Sequence, residues 1–117
     1  MKQTILGRCP SKSNCYRIVR INNRSTLAKT PALKKYESDF YMQCNKYRNV
    51  NIQGFFELAV DVFYPSNRSD LDNSLKVVLD CLQSVNAIKN DNRCVAINAR
   101  KFIDKTNPRI EFELKEI

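Results

Sequence analysis

The sequence contains no histidine, and this absence excludes several kinds of active site. A Ser-His or Cys-His nucleophile pair, a Cys2His2 zinc finger, and a zinc or iron site with histidine ligands all require an imidazole. Any metal ion bound by this chain must therefore be held by carboxylates and carbonyls, or by thiolates.

Glycine is nearly as scarce, with Gly7 and Gly54 alone in the chain. The glycine-rich loops that hold nucleotide phosphates, GxxxxGK[ST] and GxGxxG, are therefore absent, which argues against a nucleotide cofactor. Apolar runs long enough for a signal-peptide core or a membrane span are lacking as well. We therefore expect a cytoplasmic protein without a membrane partner.

The five cysteines do not form a recognisable site. No two of them make a CxxC pair, and an odd number without a repeated spacing is a poor disulfide framework. We expect reduced thiols that act as small apolar packing residues. They are Cys9, Cys15, Cys44, Cys81 and Cys94.

Length and charge describe a small basic protein. The 117 residues are enough for one domain, residues 1–117, and the net charge is +8. Residues 1–49 carry 11 basic and two acidic side chains, whereas residues 50–117 carry nine basic and ten acidic ones. A basic half favours a polyanionic partner such as nucleic acid, because Lys and Arg release counterions from phosphates. A basic surface kept for solubility, an acidic protein or a membrane surface are the alternatives.

The periodicity of apolar residues predicts a mixed order of strands and helices. Strands are predicted at residues 2–6, 16–21, 25–28, 55–64, 94–102 and 109–114. Helices are predicted from Pro31 to about residue 47, capped by Thr30, and over residues 70–83. Residues 85–93 form a polar connection. The order predicts an α+β (mixed α/β) fold, with two helices packed on one small mixed sheet.

Two aspartates stand where the loop after residue 64 enters the second helix. Asp70 and Asp72 share a side if this segment is extended, but point about 200° apart if it is helical. Both can therefore face one metal ion only if the helix begins at or after Asp72. The alternative is that they merely cap the helix and complement its dipole.

Lys76 and Asp91 extend this pair into a possible catalytic group. Lys76 lies one turn after Asp72, where it could pair with that carboxylate or hold a phosphate oxygen or leaving group. Asp91 precedes the strand at residue 94 and could return to the same sheet edge as a third carboxylate. Hard oxygen ligands with open water positions suit Mg²⁺ or Mn²⁺. Such an ion could activate water against a phosphodiester.

These residues resemble the signature of the RusA-type Holliday-junction resolvases. The first matching motif is the run from Asp70 to Asn73 with Lys76, Asp80 and Leu82 after it, and the second is the run from Asn90 to Val95. The loop from Pro10 to Asn14, with Tyr16 and Arg17, and the run from Arg109 to Leu114 are similar to its basic hairpin and last strand. One departure is Ser69, where the family often has a basic residue; Arg68 lies one position earlier.

The resemblance implies a homodimeric, Mg²⁺-dependent endonuclease that nicks two opposing strands of a four-way DNA junction in recombination and repair. It implies that Asp70, Asp72 and Asp91 bind the metal, that Lys76 is catalytic, and that the protein acts in a bacterial or phage-infected cell. A two-fold dimer would supply two equivalent sites for two symmetric cuts. Residues expected to contact DNA are Asn14, Arg17, Arg20, Arg24, Lys29, Arg68 and Lys76.

Two other functions stay open at this point. One is a non-catalytic nucleic-acid-binding module in which Asp70 and Asp72 are helix caps. The other is a Mg²⁺-dependent nuclease that acts on flaps or other branched DNA. The role of Asp80 is open as well, between a direct metal contact, support of Lys76, and a surface or dimer contact.

Overall fold

The computed structural model describes residues 1–11 and 15–117. In chain order its elements are β1 (Gln3–Leu6), β2 (Tyr16–Ile21), β3 (Arg24–Lys29), α1 (Pro31–Gln43), β4 (Phe56–Tyr64), α2 (Leu71–Ser84), β5 (Cys94–Ile103) and β6 (Arg109–Glu116). A single 3-10 turn, Asp91–Arg93, leads into β5. The predicted α+β class with two helices is confirmed.

Four strands form one mixed sheet in the order β1-β6-β4-β5. β6 is antiparallel to both of its neighbours, whereas β4 and β5 run parallel, with Phe56 opposite Cys94 and Tyr64 opposite Ile103. Parallel strands need a crossover connection, and α2 supplies it. α2 therefore starts near the carboxyl end of β4 and returns the chain toward the amino end of β5.

The core lies between one face of this sheet and the two helices. Alternate residues of β4 face it, and each of them is at most 1% exposed: Phe56, Leu58, Val60, Val62 and Tyr64. Phe40 of α1 stacks on Phe112 of β6 with ring centroids 5.9 Å apart, and Val78 and Leu82 of α2 are fully buried. Burying each such side chain contributes about 1.5–3 kcal/mol. The core fixes α2 against β4, and with it the position of the acidic residues on α2.

The prediction of one single sheet is wrong for the hairpin. β2 and β3 pair with each other as a separate two-stranded sheet, around a turn in which Asn22 and Asn23 have positive φ. Apolar and basic residues occur on both of its faces, so neither face offers the apolar row that packing on the main sheet needs.

The first helix is shorter than predicted. It ends at Gln43 instead of residue 47, because the backbone leaves the helical conformation at Cys44, where ψ is 62°. The Gln43 side chain accepts a hydrogen bond from the Leu6 amide of β1 at 2.8 Å. Tyr47 keeps its place in the core from the following turns, where its hydroxyl accepts from the Leu114 amide at 3.2 Å. The spacing of apolar residues therefore predicted burial correctly beyond the end of the helix.

The connection at residues 85–93 is not polar throughout. Val85, Ala87 and Ile88 are buried, and Ile88 forms an isolated parallel bridge with Ile52. Asn86 between them has a positive φ of 58°, which lets the chain turn while its apolar neighbours point inward.

In the described part of the chain, no helix is long and apolar enough to cross a membrane.

Candidate active site

Asp70 occupies the N-cap position of α2 with an extended backbone, φ −91° and ψ 134°. Its carboxylate makes no capping hydrogen bond within the described residues. The first helical turn is instead bonded through the Asp70 carbonyl, which accepts from the Asn73 amide at 3.3 Å. The helix begins at Leu71, one residue before Asp72, so the condition for Asp70 and Asp72 to face one metal ion, a helix that begins at or after Asp72, is not met. The Asp72 side chain is exposed on the first turn, and the Asp70 side chain caps nothing in the described part of the chain. The interpretation of Asp70 as a side-chain cap is therefore wrong.

A buried pair of hydroxyls attaches the start of α2 to the end of β4. The Tyr64 and Ser74 side-chain oxygens are 2.6 Å apart, and both residues are fully buried. The Tyr64 hydroxyl also lies 3.3 Å from the Asp70 carbonyl, to which it donates. Burial raises the pKa of Tyr64, and the charges of Asp70 and Asp72 raise it further, so the phenol stays a neutral donor.

Lys76 links α2 to the segment that precedes β5. Its Nζ lies 2.5 Å from Asp91 Oδ2 and 3.1 Å from Asp80 Oδ1. These two hydrogen bonds raise the pKa of Lys76, so the ammonium stays charged at neutral pH. The pairing of Lys76 with Asp72, one of the two alternatives for this lysine, is replaced by these contacts within the described residues. Of the roles left open for Asp80, the structure supports a contact with Lys76.

Gln83 and Asn90 hold Asp91 in reach of Lys76; Asn90 belongs to the second acidic motif, whereas Gln83 belongs to no motif in the sequence. Gln83 Oε1 accepts a hydrogen bond from the Asp91 amide at 3.1 Å. Asn90 Oδ1 accepts from the Asn92 amide at 3.0 Å and so stabilises the turn. The run Asn90-Asp91-Asn92 is a local signal for such a turn, but no local pattern indicates a contact with Gln83.

Asp91 does not return to the sheet edge at which Asp70 stands, and this expectation is wrong. β4 and β5 run parallel, so Asp91, which precedes β5, lies near the amino ends of these two strands. Asp70 follows β4 and therefore lies near their carboxyl ends. Along α2, Asp72 and Asp80 are eight residues apart, which is about 12 Å of helix axis. We call Asp70, Asp72, Lys76, Asp80 and Asp91 the acidic strip, with Lys76 in its middle.

Metal binding is compatible with the chemistry of the acidic strip. Among residues 1–11 and 15–117, no three acidic or cysteine side chains are gathered closely enough to hold a metal ion. The four carboxylates of the strip are nevertheless hard oxygen donors. Two of them, those of Asp80 and Asp91, contact the same cationic atom, Lys76 Nζ. Mg²⁺ is commonly held by one or two carboxylates together with waters and substrate phosphates. The donor set therefore fits this ion.

The basic residues expected at DNA fall into different environments. Arg17, Arg20 and Arg24 are exposed on the hairpin, and Arg68 is exposed in the loop before α2. Lys29, at the base of the hairpin, is paired with Glu37 at 3.0 Å. Asn14 lies outside the described residues.

A cavity of about 450 Å³ separates the hairpin base from α2. Tyr16 and Lys29 line it from the hairpin, Leu33 and Glu37 from α1, and Lys76 and Asp80 from the acidic strip. The base of the hairpin and the middle of the acidic strip thus face one common space, and no pattern in the sequence indicates this.

Comparison with known proteins assigns the chain to a family. A search of curated proteins gives no match. The family model described as endodeoxyribonuclease RusA matches residues 10–115, which is nearly the whole chain. This range includes the hairpin, the complete acidic strip and all of β6 except its last residue, Glu116. The chain therefore belongs to the RusA endodeoxyribonuclease family.

Proposed function

We propose that this protein resolves four-way DNA junctions by metal-dependent hydrolysis of phosphodiesters in two opposing strands. The observation that carries the proposal is the acidic strip, in which the Lys76 ammonium lies between Asp91 and Asp80, 2.5 and 3.1 Å away, in a family of endodeoxyribonucleases. Carboxylates that face phosphate without a cation would repel DNA. A strip of four carboxylates in a chain of net charge +8 therefore supports a cation-dependent contact with DNA.

We propose Asp70, Asp72 and Asp91 as the metal-binding residues, because they stand in the two acidic motifs of the family, and Mg²⁺, with Mn²⁺ as a substitute, as the ion. Since Asp91 contacts Lys76 and lies away from Asp70, the proposal requires the segment before β5 to move toward the start of α2 when all three bind one ion. When bound, such an ion supplies charge neutralisation at the phosphate and a more acidic water. In the part of the chain that the structure describes, the Asp70 carboxylate makes no capping hydrogen bond, which supports its part in this role. Asp91, held at its backbone by Gln83, presents its carboxylate to the middle of the strip.

Lys76 is the proposed catalytic residue. Its ammonium stays charged through its contacts with Asp91 and Asp80, which favour the protonated form. A fixed positive charge beside a phosphodiester stabilises the negative charge that develops on the phosphate and on the leaving oxygen. The exposed position of Lys76 on α2 leaves it accessible to a DNA strand.

Two copies of the chain form the proposed active unit. Symmetric cuts in opposing strands require two equivalent sites, and a two-fold homodimer provides them. The proposed DNA contacts are those of the exposed cations Arg17, Arg20, Arg24, Arg68 and Lys76, with Asn14 and Lys29 as further candidates. These contacts follow the phosphate backbone and so recognise the shape of the junction.

The test compares cleavage of a synthetic four-way junction, a flap and a linear duplex, each with Mg²⁺ and with EDTA. We expect paired cuts in the junction with Mg²⁺ and none with EDTA. Asp70→Asn, Asp72→Asn and Asp91→Asn should each lower the cleavage rate at least about 100-fold, the scale of a lost catalytic charge. Junction binding should be unchanged or tighter, because one negative charge near phosphate is removed.

Asp39→Asn is the matched control, since Asp39 is an aspartate paired to a lysine on the other helix. It should cut at the wild-type rate. Absence of cleavage with every divalent ion would leave a DNA-binding module, and preferential cutting of the flap would identify a different branched substrate. If the Asp91→Asn variant cleaves at the wild-type rate, Asp91 does not bind the catalytic metal and only pairs with Lys76.

A further inference from the structure

The β2–β3 hairpin exposes a pair of large aliphatic side chains. Ile18 is 74% exposed and Leu27 is 68% exposed. The two residues are register partners in the antiparallel ladder, so their side chains lie next to each other on one face. Single exposed aliphatic residues are common, but an exposed apolar patch bordered by charges is typical of a binding surface.

The charge of the hairpin indicates which kind of partner fits. Residues 16–29 contain Arg17, Arg20, Arg24 and Lys29 and no acidic residue. On the face of the apolar pair, Arg20 lies two residues beyond Ile18 toward the turn. A second copy of the same hairpin would bring like charges together, which is unfavourable. A polyanion such as DNA complements this surface.

The position of the pair places it beside the acidic strip. Tyr16 and Lys29, the register partners at the base of the hairpin, line the cavity that Lys76 and Asp80 line from the other side. Alternate residues of a strand share a face, so Ile18 continues the face of Tyr16 about 7 Å farther out. A DNA segment that touches the apolar pair would therefore reach the region of Lys76.

We propose that Ile18 and Leu27 form a wedge that enters the branch point of a DNA junction and separates the base pairs there. The inference rests on the proposed function, because its ligand is branched DNA. Apolar side chains inserted between base steps unstack them at a cost of a few kcal/mol. The wedge makes the hairpin prefer a branch point, where continuous stacking is already interrupted, over a continuous duplex.

The test measures base unstacking directly. A four-way junction and a linear duplex each carry 2-aminopurine, at the branch point and at the matching duplex position, and are titrated in EDTA. Wild-type protein should raise the fluorescence of the junction and leave that of the duplex nearly unchanged. Ile18→Thr with Leu27→Thr, which keeps the β propensity of the strands, should abolish the rise and reduce the junction-to-duplex affinity ratio at least about tenfold.

Two further readouts separate the wedge from other roles. The salt dependence of junction binding should keep its slope in the threonine variant, because the phosphate contacts of the arginines are retained. Ile18→Val with Leu27→Met should restore the fluorescence rise, since both replacements are apolar. Met42→Ser, at an exposed apolar residue of α1, is the matched control and should behave as wild type.

Distinct results would overturn the proposal. An unchanged fluorescence rise in the threonine variant would show that the pair does not enter the junction. A loss of the rise together with a halved mass in size-exclusion chromatography would instead identify the pair as a contact between copies. A loss that valine and methionine do not restore, with a lower melting temperature, would identify a structural role. Cleavage in Mg²⁺ tests the proposed function separately, since the wedge is measured in EDTA.

Discussion

Lys76 is the residue that connects the elements of the candidate site. It lies on α2, and its ammonium contacts Asp80 of the same helix and Asp91 before β5. The side chain of Lys76 is 53% exposed, and exposed ion pairs contribute about 0–1 kcal/mol to folding. Stability therefore accounts for little of the arrangement of two carboxylates around one exposed lysine, and this arrangement is consistent with the proposed role of Lys76 as a charge positioned for phosphate.

Replacement of Asp80 tests this positioning. Asp80→Asn should lower the cleavage rate about tenfold, because displacement of a catalytic group by a fraction of an ångström already has a large effect on rate. Junction affinity and melting temperature should change little, since one exposed i,i+4 pair is worth about 0.3–0.5 kcal/mol. Single-turnover cleavage and gel-shift titration measure the two quantities.

The chain offers an equivalent pair as a control. Lys35 and Asp39 form the same i,i+4 ion pair on α1, at 2.7 Å, and away from the acidic strip. Asp39→Asn should leave the cleavage rate unchanged. If both variants cut equally slowly, the effect of Asp80 is one of general charge and not of Lys76 position.

The local part of the candidate site could be predicted from the sequence, and the rest could not. Lys76 and Asp80 stand one turn apart on one helix, so their spacing in the sequence indicates the contact that the structure shows. The contact of Lys76 with Asp91 depends on the parallel pairing of β4 and β5, which joins segments 38 residues apart, Phe56 and Cys94. Hydrophobic spacing carries no information about strand direction, and the wrong sheet edge for Asp91 follows from this.

At the scale of elements, the start of α2 depends on its attachment to β4. Ser74 is a fully buried polar residue in the first turns of the helix, and its hydroxyl lies 2.6 Å from that of Tyr64. A hydroxyl buried without a partner costs about 1–3 kcal/mol. The pair therefore determines where the helix begins, and Asp70 and Asp72 take their positions from it.

Loss of this hydrogen bond should be measurable in unfolding. Ser74→Ala should lower the free energy of unfolding by about 1–2 kcal/mol, because the Tyr64 hydroxyl loses its shorter contact. The measurement is urea denaturation with an unchanged m-value. Ser84→Ala, an exposed serine at the end of the same helix, should have little effect. Equal losses in the two variants would contradict the role of the buried pair.

The elements themselves were largely predictable where one face is buried. β4 alternates between buried and less buried residues over its nine positions, and the sequence predicted it within one residue. The hairpin strands were also predicted, but their local sequence does not show whether they join the main sheet. Both faces of the hairpin carry apolar residues, such as Ile18 on one face and Ile21 on the other. Tertiary contacts alone decide which sheet such strands join.

For the whole molecule, the uneven charge has a structural explanation. Within the described residues, Arg17, Arg20 and Arg24 of the hairpin form no ion pair, whereas Arg100 and Arg109 of the main sheet are each paired with a carboxylate. Arg100 of β5 contacts Asp61 through two nitrogens, at 2.9 and 3.0 Å, and Arg109 contacts Glu111 at 2.8 Å. These two arginines are thus neutralised by carboxylates within the main sheet, whereas the hairpin carries its positive charge without any acidic residue of its own.

The salt dependence of junction binding tests this division. The logarithm of the binding constant falls with the logarithm of the salt concentration, and each phosphate contact contributes about 0.9 to the steepness of this fall. Glutamine at Arg17, Arg20 and Arg24 should therefore make the fall less steep by about 2.7. Arg100→Gln removes an equal kind of charge from the main sheet and should leave the slope unchanged, because Asp61 already neutralises it. Equal decreases in slope per charge removed would mean that DNA contacts both parts alike. A decrease confined to the three hairpin arginines would place the phosphate backbone along β2 and β3, on the same structure that carries Ile18 and Leu27.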